Sequence, residues 1–65
     1  MTFAERLREL REAKGWTQTH LGTLCHLGTS AISMLESGDR YPGWIVMRRL
    51  AKAFGLTLSE LLDGV

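Results

Sequence analysis

The first chemistry this sequence offers is a cluster of short hydroxyl side chains. Thr29, Ser30, Ser33 and Ser37 recur around Met34, and at 100° per residue they share one arc of about 140°. That arc carries no charge. Such hydroxyls donate to and accept from a polar surface at close range, while a methionine can meet a methyl group. The same face would also serve simply to solvate a surface helix, and periodicity alone does not choose. His20, Cys25 and His26 are residues of metal-ligating type. Their spacing does not put three ligands on one helical face, so no metal site is expected. Cys25 reads instead as a small buried hydrophobe, and His20 as an exposed residue of its helix. No paired-carboxylate cleft, glycine-rich phosphate loop or nucleophile–base pair can be assembled. Neither an enzyme nor a cofactor is expected. Arg48, Arg49 and Lys52 form the densest basic group. They read as a solvated helix face with cations toward the C-terminus, the alternative being a secondary phosphate patch.

Helices must position these residues, since no tract alternates as a strand does. Gly15, Gly28, Gly38, Gly55 and Gly64 each follow a helically periodic segment, as expected where a C-terminal cap needs positive φ. The reading is all-α, with five short helices. The first runs from Thr2 or Phe3 to Lys14, with Thr2 and Glu5 as a capping box. It turns Phe3, Leu7 and Leu10 inward, lays the stem of Lys14 along that stripe, and leaves Glu5, Arg8, Glu9 and Glu12 as a solvated face. Trp16 follows as a core plug. Thr17 caps a second helix over Gln18 to Cys25, with Leu21, Leu24 and Cys25 inward. A third spans Thr29 to Ser37, with Ala31, Ile32 and Leu35 inward. The fourth starts near Gly43 or Trp44 and ends at Gly55, its core face being Trp44, Met47, Leu50, Ala51 and Phe54. Thr57 or Ser59 caps the last, which docks through Leu58, Leu61 and Leu62.

Composition limits what such a bundle can do. The chain has 65 residues, with eight Lys/Arg against seven Asp/Glu for a net charge of +1. That size allows one domain and leaves little room for an enclosed cavity, so no small-molecule ligand is expected. Binding by bulk charge is excluded, though a local basic patch is not. One cysteine cannot form an intramolecular disulfide and suits a reducing compartment. With no signal peptide or membrane-spanning run, the expectation is a cytoplasmic protein.

Two short helices joined by the three residues His26, Leu27 and Gly28 form a helix-turn-helix pattern. The first helix of such a pair braces against the DNA backbone, and the second presents its outer side chains to base edges. Thr29, Ser30 and Ser33 suit that task, with Met34 placed for a thymine methyl. From Phe3 to Leu62 the chain resembles the five-helix DNA-binding domain of the Cro, phage-repressor and Xre-type regulators. The resemblance is carried by RLRELREAKGWTQ, SAISMLESGDRYP and LAKAFGLTLSELL in that order. It implies that Gln18 bonds a DNA phosphate and steadies the reading helix. It also implies base reading by Thr29, Ser30, Ser33 and Met34, and a phosphate grip by Ser37 and Arg40, joined by Tyr41. Arg11 and Glu36 match the family's structural ion pair. The sequence departs from the family at Gly22, where alanine is usual and glycine costs about 1 kcal/mol of helix propensity. His26 stands where glycine usually makes the turn, and Gly28 where a Ser or Thr usually caps, which can shift the cap to Thr29.

Ile45 and Val46 lie off the core face of the fourth helix and are expected to form a subunit contact, most simply a two-fold homodimer. The expected function is a sequence-specific regulator binding a palindromic double-stranded DNA operator as a homodimer, with residues 1–65 as its single domain. Three settings fit: a phage-type repressor, a restriction–modification controller, or an antitoxin-like regulator. A protein-interaction module on the same fold is the rival from another class. From Thr17 to Gly43, Arg40 is the only Lys or Arg, which predicts few ionic phosphate contacts and a shallow salt dependence.

Overall fold

A computed structural model describes residues Met1–Val65. It holds five helices: α1 (Phe3–Ala13), α2 (Gln18–Cys25), α3 (Thr29–Ser37), α4 (Trp44–Phe54) and α5 (Leu58–Leu61). The starts of α1, α2 and α5 are set by threonine oxygens that satisfy orphan N–H groups of the first turn, whereas Gly28 and Gly43 precede α3 and α4 without a side-chain cap. Thr2 accepts from the Glu5 N–H, and the Glu5 carboxylate returns a bond to the Thr2 N–H. Thr57 and Glu60 repeat that capping box at α5, and Thr17 caps α2 through the His20 N–H. Arg6 reaches across from α1 to the carbonyls of Glu60 and Leu61, at 2.7 and 3.1 Å, and so closes the far end of the fold.

The connection between α2 and α3 differs from the expectation. Gly28 does not adopt positive φ; it is the extended N-cap of α3 at φ −73°, and the cap does not shift to Thr29. The left-handed residue is His26, at φ 59° and ψ 41°. Its N–H returns to the carbonyls of Gly22 and Thr23, which is how a chain leaves a helix when no glycine is present at the turn.

The core consists of Phe3, Leu7, Leu21, Cys25, Ile32, Leu35, Leu50, Ala51, Phe54 and Leu61. Helix α3 packs on α1 and α2, α2 also on α4, and α4 on α5. Trp16 plugs one side, its ring stacked 5.4 Å from that of Phe54, with the Lys14 ammonium 5.9 Å from its face.

Two buried arcs are rotated from those read off the wheel. Leu24, expected inside, is 41% exposed, because Gly22 is buried in its stead. With no side chain there, α2 turns its Gly22 edge toward the α2–α3 turn, and the Leu24 edge swings out. On α4, Trp44 is 63% exposed, while Val46 and Ala53 pack against the core. The arc is centred near Leu50, and Trp44, in the first turn, falls just past its edge. Val46 is therefore half-buried rather than off the core face.

Candidate nucleic-acid interface

The polar, uncharged face of α3 stands in solvent. Thr29, Ser30 and Ser33 are exposed, and Met34 is partly so at 39%. Behind them Ile32 and Leu35 are buried, so the helix is anchored along one side and open along the other. The two helix starts of the motif meet at a pair of hydroxyls: Thr19 Oγ1 lies 3.0 Å from Thr29 Oγ1. Thr19 carried no signal in the sequence, since a contact between different helices has no local periodicity to reveal it.

Beneath this face lies a buried carboxylate. The Glu36 side chain has no exposed surface. Arg11 grips it at both oxygens, Nε to Oε2 at 2.6 Å and Nη2 to Oε1 at 3.0 Å. Arg11 also donates to the carbonyl of Trp16 at 2.7 Å. Gln18 donates from Nε2 to Glu36 Oε1 at 3.2 Å, and the exposed Arg8 adds a longer contact at 3.5 Å. Burial opposes ionisation of Glu36, but the bonds from Arg11 and Gln18 and the Arg11 charge outweigh it and hold the carboxyl below its ordinary value. The Glu36 bond in turn raises Arg11 above its own. The ion pair is thus the hub through which α1, α2 and α3 meet. It leaves one Nε2 hydrogen and the amide oxygen of Gln18 for a ligand.

At the other end of α3 the hydroxyl of Ser37 is already engaged. It lies 3.1 Å from the Met34 carbonyl and 3.0 Å from Asp39 Oδ2, and it accepts the Asp39 N–H at 3.3 Å. Its role there is to fold the turn after the helix. Arg40 is exposed and borders a groove with Tyr41, Phe3 and Thr2. Tyr41, 68% exposed, tilts its ring over Phe3 at 5.8 Å. Gln18 thus meets α3 at Glu36, and Arg40 and Tyr41 follow the C-terminus of that helix.

The residues weighed as metal ligands diverge. Cys25 is in the core, where burial pushes its thiol up to about 11, and the His20 ring meets the edge of Trp16 at 5.3 Å. His26 points outward from its turn.

A family model described as "Helix-turn-helix domain" matches residues 2–63. The chain belongs to the helix-turn-helix domain family. This helix-turn-helix chain is 39% identical over 64 residues to the HTH-type transcriptional activator BcrR of Enterococcus faecalis, covering 98% of itself and 31% of that protein. It is 38% identical to the restriction-modification controller protein C.AhdI of Aeromonas hydrophila. That likeness has a TM-score of 0.88 and covers 92% of this chain and 91% of the controller. The P22 c2 repressor, solved in complex with synthetic operator 9T, aligns over 100% of this chain and 98% of its own with a TM-score of 0.89 and 28% identity. The chain spans between 31% and 56% of the length of the curated relatives it matches. The resemblance to Cro, phage-repressor and Xre-type domains is upheld, and so is the all-α, five-helix fold.

Proposed function

We propose that this chain is a sequence-specific double-stranded DNA-binding domain of a transcription regulator, with residues 1–65 forming one domain. The observation that carries the reading is the exposed, uncharged face of α3, anchored on the core side by Ile32 and Leu35, with Gln18 bonded to Glu36 of that helix and Arg40 just beyond it. In this assignment Thr29, Ser30, Ser33 and Met34 read base edges. Gln18 and Arg40 hold phosphates, with Tyr41 beside them and Ser37 contributing through the turn it builds. BcrR is a transcriptional activator, the P22 protein a repressor crystallised on an operator, and C.AhdI a controller protein. All three kinds of relative support a regulator.

Binding to a palindromic operator as a homodimer fits the dimensions. The Cα trace measures 24 × 24 × 23 Å, and side chains enlarge it on every side. One such copy is small enough to occupy each of two half-sites centred about 34 Å, one turn of DNA, apart. The contact is assigned to Ile45, which is 64% exposed, with the outer edge of Val46. A fluorescence-anisotropy titration with DNA from the gene's own promoter tests the function. Sequence-dependent binding is expected. Equal affinity for every duplex, lost at physiological salt, would sink it.

A further inference from the structure

We propose that Thr19 sets the hydrogen-bonding polarity of Thr29, so that Thr29 acts as an acceptor and selects an amino base over a keto base. The inference rests on the reading above, in which Thr29 faces a base edge. Thr19 and Thr29 are both exposed, and their Oγ1 atoms are 3.0 Å apart between α2 and α3. Each hydroxyl has one proton and two lone pairs. The bond between them takes up one proton, so the pair turns a single O–H outward, at Thr19 or at Thr29.

What faces each end decides which. Thr19 is the second residue of α2, next to Gln18, on the helix that in this motif crosses the DNA backbone. Phosphate oxygens accept hydrogen bonds and never donate them. Against phosphate, Thr19 must turn its proton outward and accept from Thr29. The other hydroxyl on that helix does not compete, because Thr23 Oγ1 donates to the Thr19 carbonyl at 3.1 Å.

Thr29, its proton directed to Thr19, then offers only lone pairs to the groove. In the major groove the donors are adenine N6 and cytosine N4, while guanine O6 and thymine O4 are acceptors in the corresponding places. The base under Thr29 is therefore A or C rather than G or T. Thr19 touches no base and acts as a positioning residue for specificity.

Selection from a pool of duplexes randomised over about two half-sites one turn apart tests this with the wild-type protein, Thr19→Val, Thr19→Ser and Thr29→Val. One hydrogen bond gives about a threefold to tenfold preference, so the wild type should enrich A or C by that factor at one position per half-site. Thr29→Val identifies the position by erasing its amino preference. Thr19→Val keeps the side-chain shape without the hydroxyl, which frees Thr29 to rotate and brings the ratio toward one there while other positions hold. Thr19→Ser restores the preference. Enrichment of G or T at that position, or a preference that survives Thr19→Val, overturns the inference alone. Uniform flattening at all positions does the same. No enrichment of any sequence by the wild type overturns the DNA-reading function and this inference with it.

Discussion

Glu36 shows how one residue couples stability to the interface. Its carboxylate is fully buried and satisfied from two other helices, by Arg8 and Arg11 of α1 and Gln18 of α2. Removing one partner of a buried pair leaves a charge without compensation, which costs about 3 kcal/mol or more. Arg11→Met should lower the unfolding free energy by about 3 kcal/mol in urea titrations, and a loss below about 1 kcal/mol would contradict the burial argument. The sign of the pH effect follows from the depressed carboxyl. Its stabilisation is present above the unfolded value, about pH 4.3, and is lost as pH falls through the lower folded value. Unfolding measured from neutral pH into acid should therefore show stability falling below about pH 4.3. Glu36→Gln should flatten that fall in part. It should not abolish it, because bonds from Thr2 also hold Glu5 below its ordinary value. The family likeness named Arg11 and Glu36 in the sequence; the bond from Gln18 to the same carboxylate came only from the folded chain. Three hydrophobic assignments erred at this scale, those of Leu24, Trp44 and Val46. Leu24 and Trp44 lie at the edges of their arcs, where a rotation of some tens of degrees moves a side chain from core to solvent.

Between α2 and α3, two residues carry opposite strains. His26 is the only residue other than glycine at positive φ, a conformation that costs an L-residue about 1–2 kcal/mol. His26→Gly should raise stability by about 0.5–1 kcal/mol, since glycine's entropy loss offsets part of the relief. His26→Val, β-branched, should lower it. Thermal unfolding monitored by circular dichroism would give both signs. At Gly22, helix propensity alone argues that alanine is better by about 1 kcal/mol. A Cβ there would sit 2.6 Å from the Leu27 carbonyl oxygen. The turn cannot easily retreat, because the Leu27 N–H is bonded to the Gly22 carbonyl at 2.8 Å. Gly22→Ala should therefore destabilise the protein despite its better propensity, and an increase in melting temperature would show that the turn yields. The sequence showed both as departures from the family. The contact with the Leu27 carbonyl, which makes glycine the fitting residue here, depends on how α3 is docked.

Across the whole molecule, charge and apolar surface are unevenly placed. The net charge is +1, and Arg40 is the single Lys or Arg between Thr17 and Gly43. Since the salt slope grows with the number of phosphates neutralised, DNA affinity measured against salt concentration should fall with a shallow slope. A steep slope, equivalent to many counterions per subunit, would bring Arg48, Arg49 and Lys52 into contact with DNA. Trp44 and Ile45 expose adjoining apolar surface at the start of α4. Ile45→Glu should shift sedimentation toward the monomer and weaken operator binding while leaving the melting temperature nearly unchanged. A dimer unaffected by Ile45→Glu would place the subunit contact elsewhere. No helix is long and apolar enough to cross a membrane.

The sequence by itself determined that there are five helices and placed their ends to within about one or two residues. Caps and apolar periodicity act within about four residues of chain, and Thr2, Thr17 and Thr57 each sit beside the N–H groups they bond. It also determined that one face of α3 is polar and uncharged. The tertiary structure alone decided how far each buried arc is rotated, that Thr19 meets Thr29, and that Gln18 shares the carboxylate of Glu36. Those contacts join residues 10 and 18 positions apart. Their geometry is set by the angles at which packed helices cross, a property of the assembled core that no local stretch of chain contains.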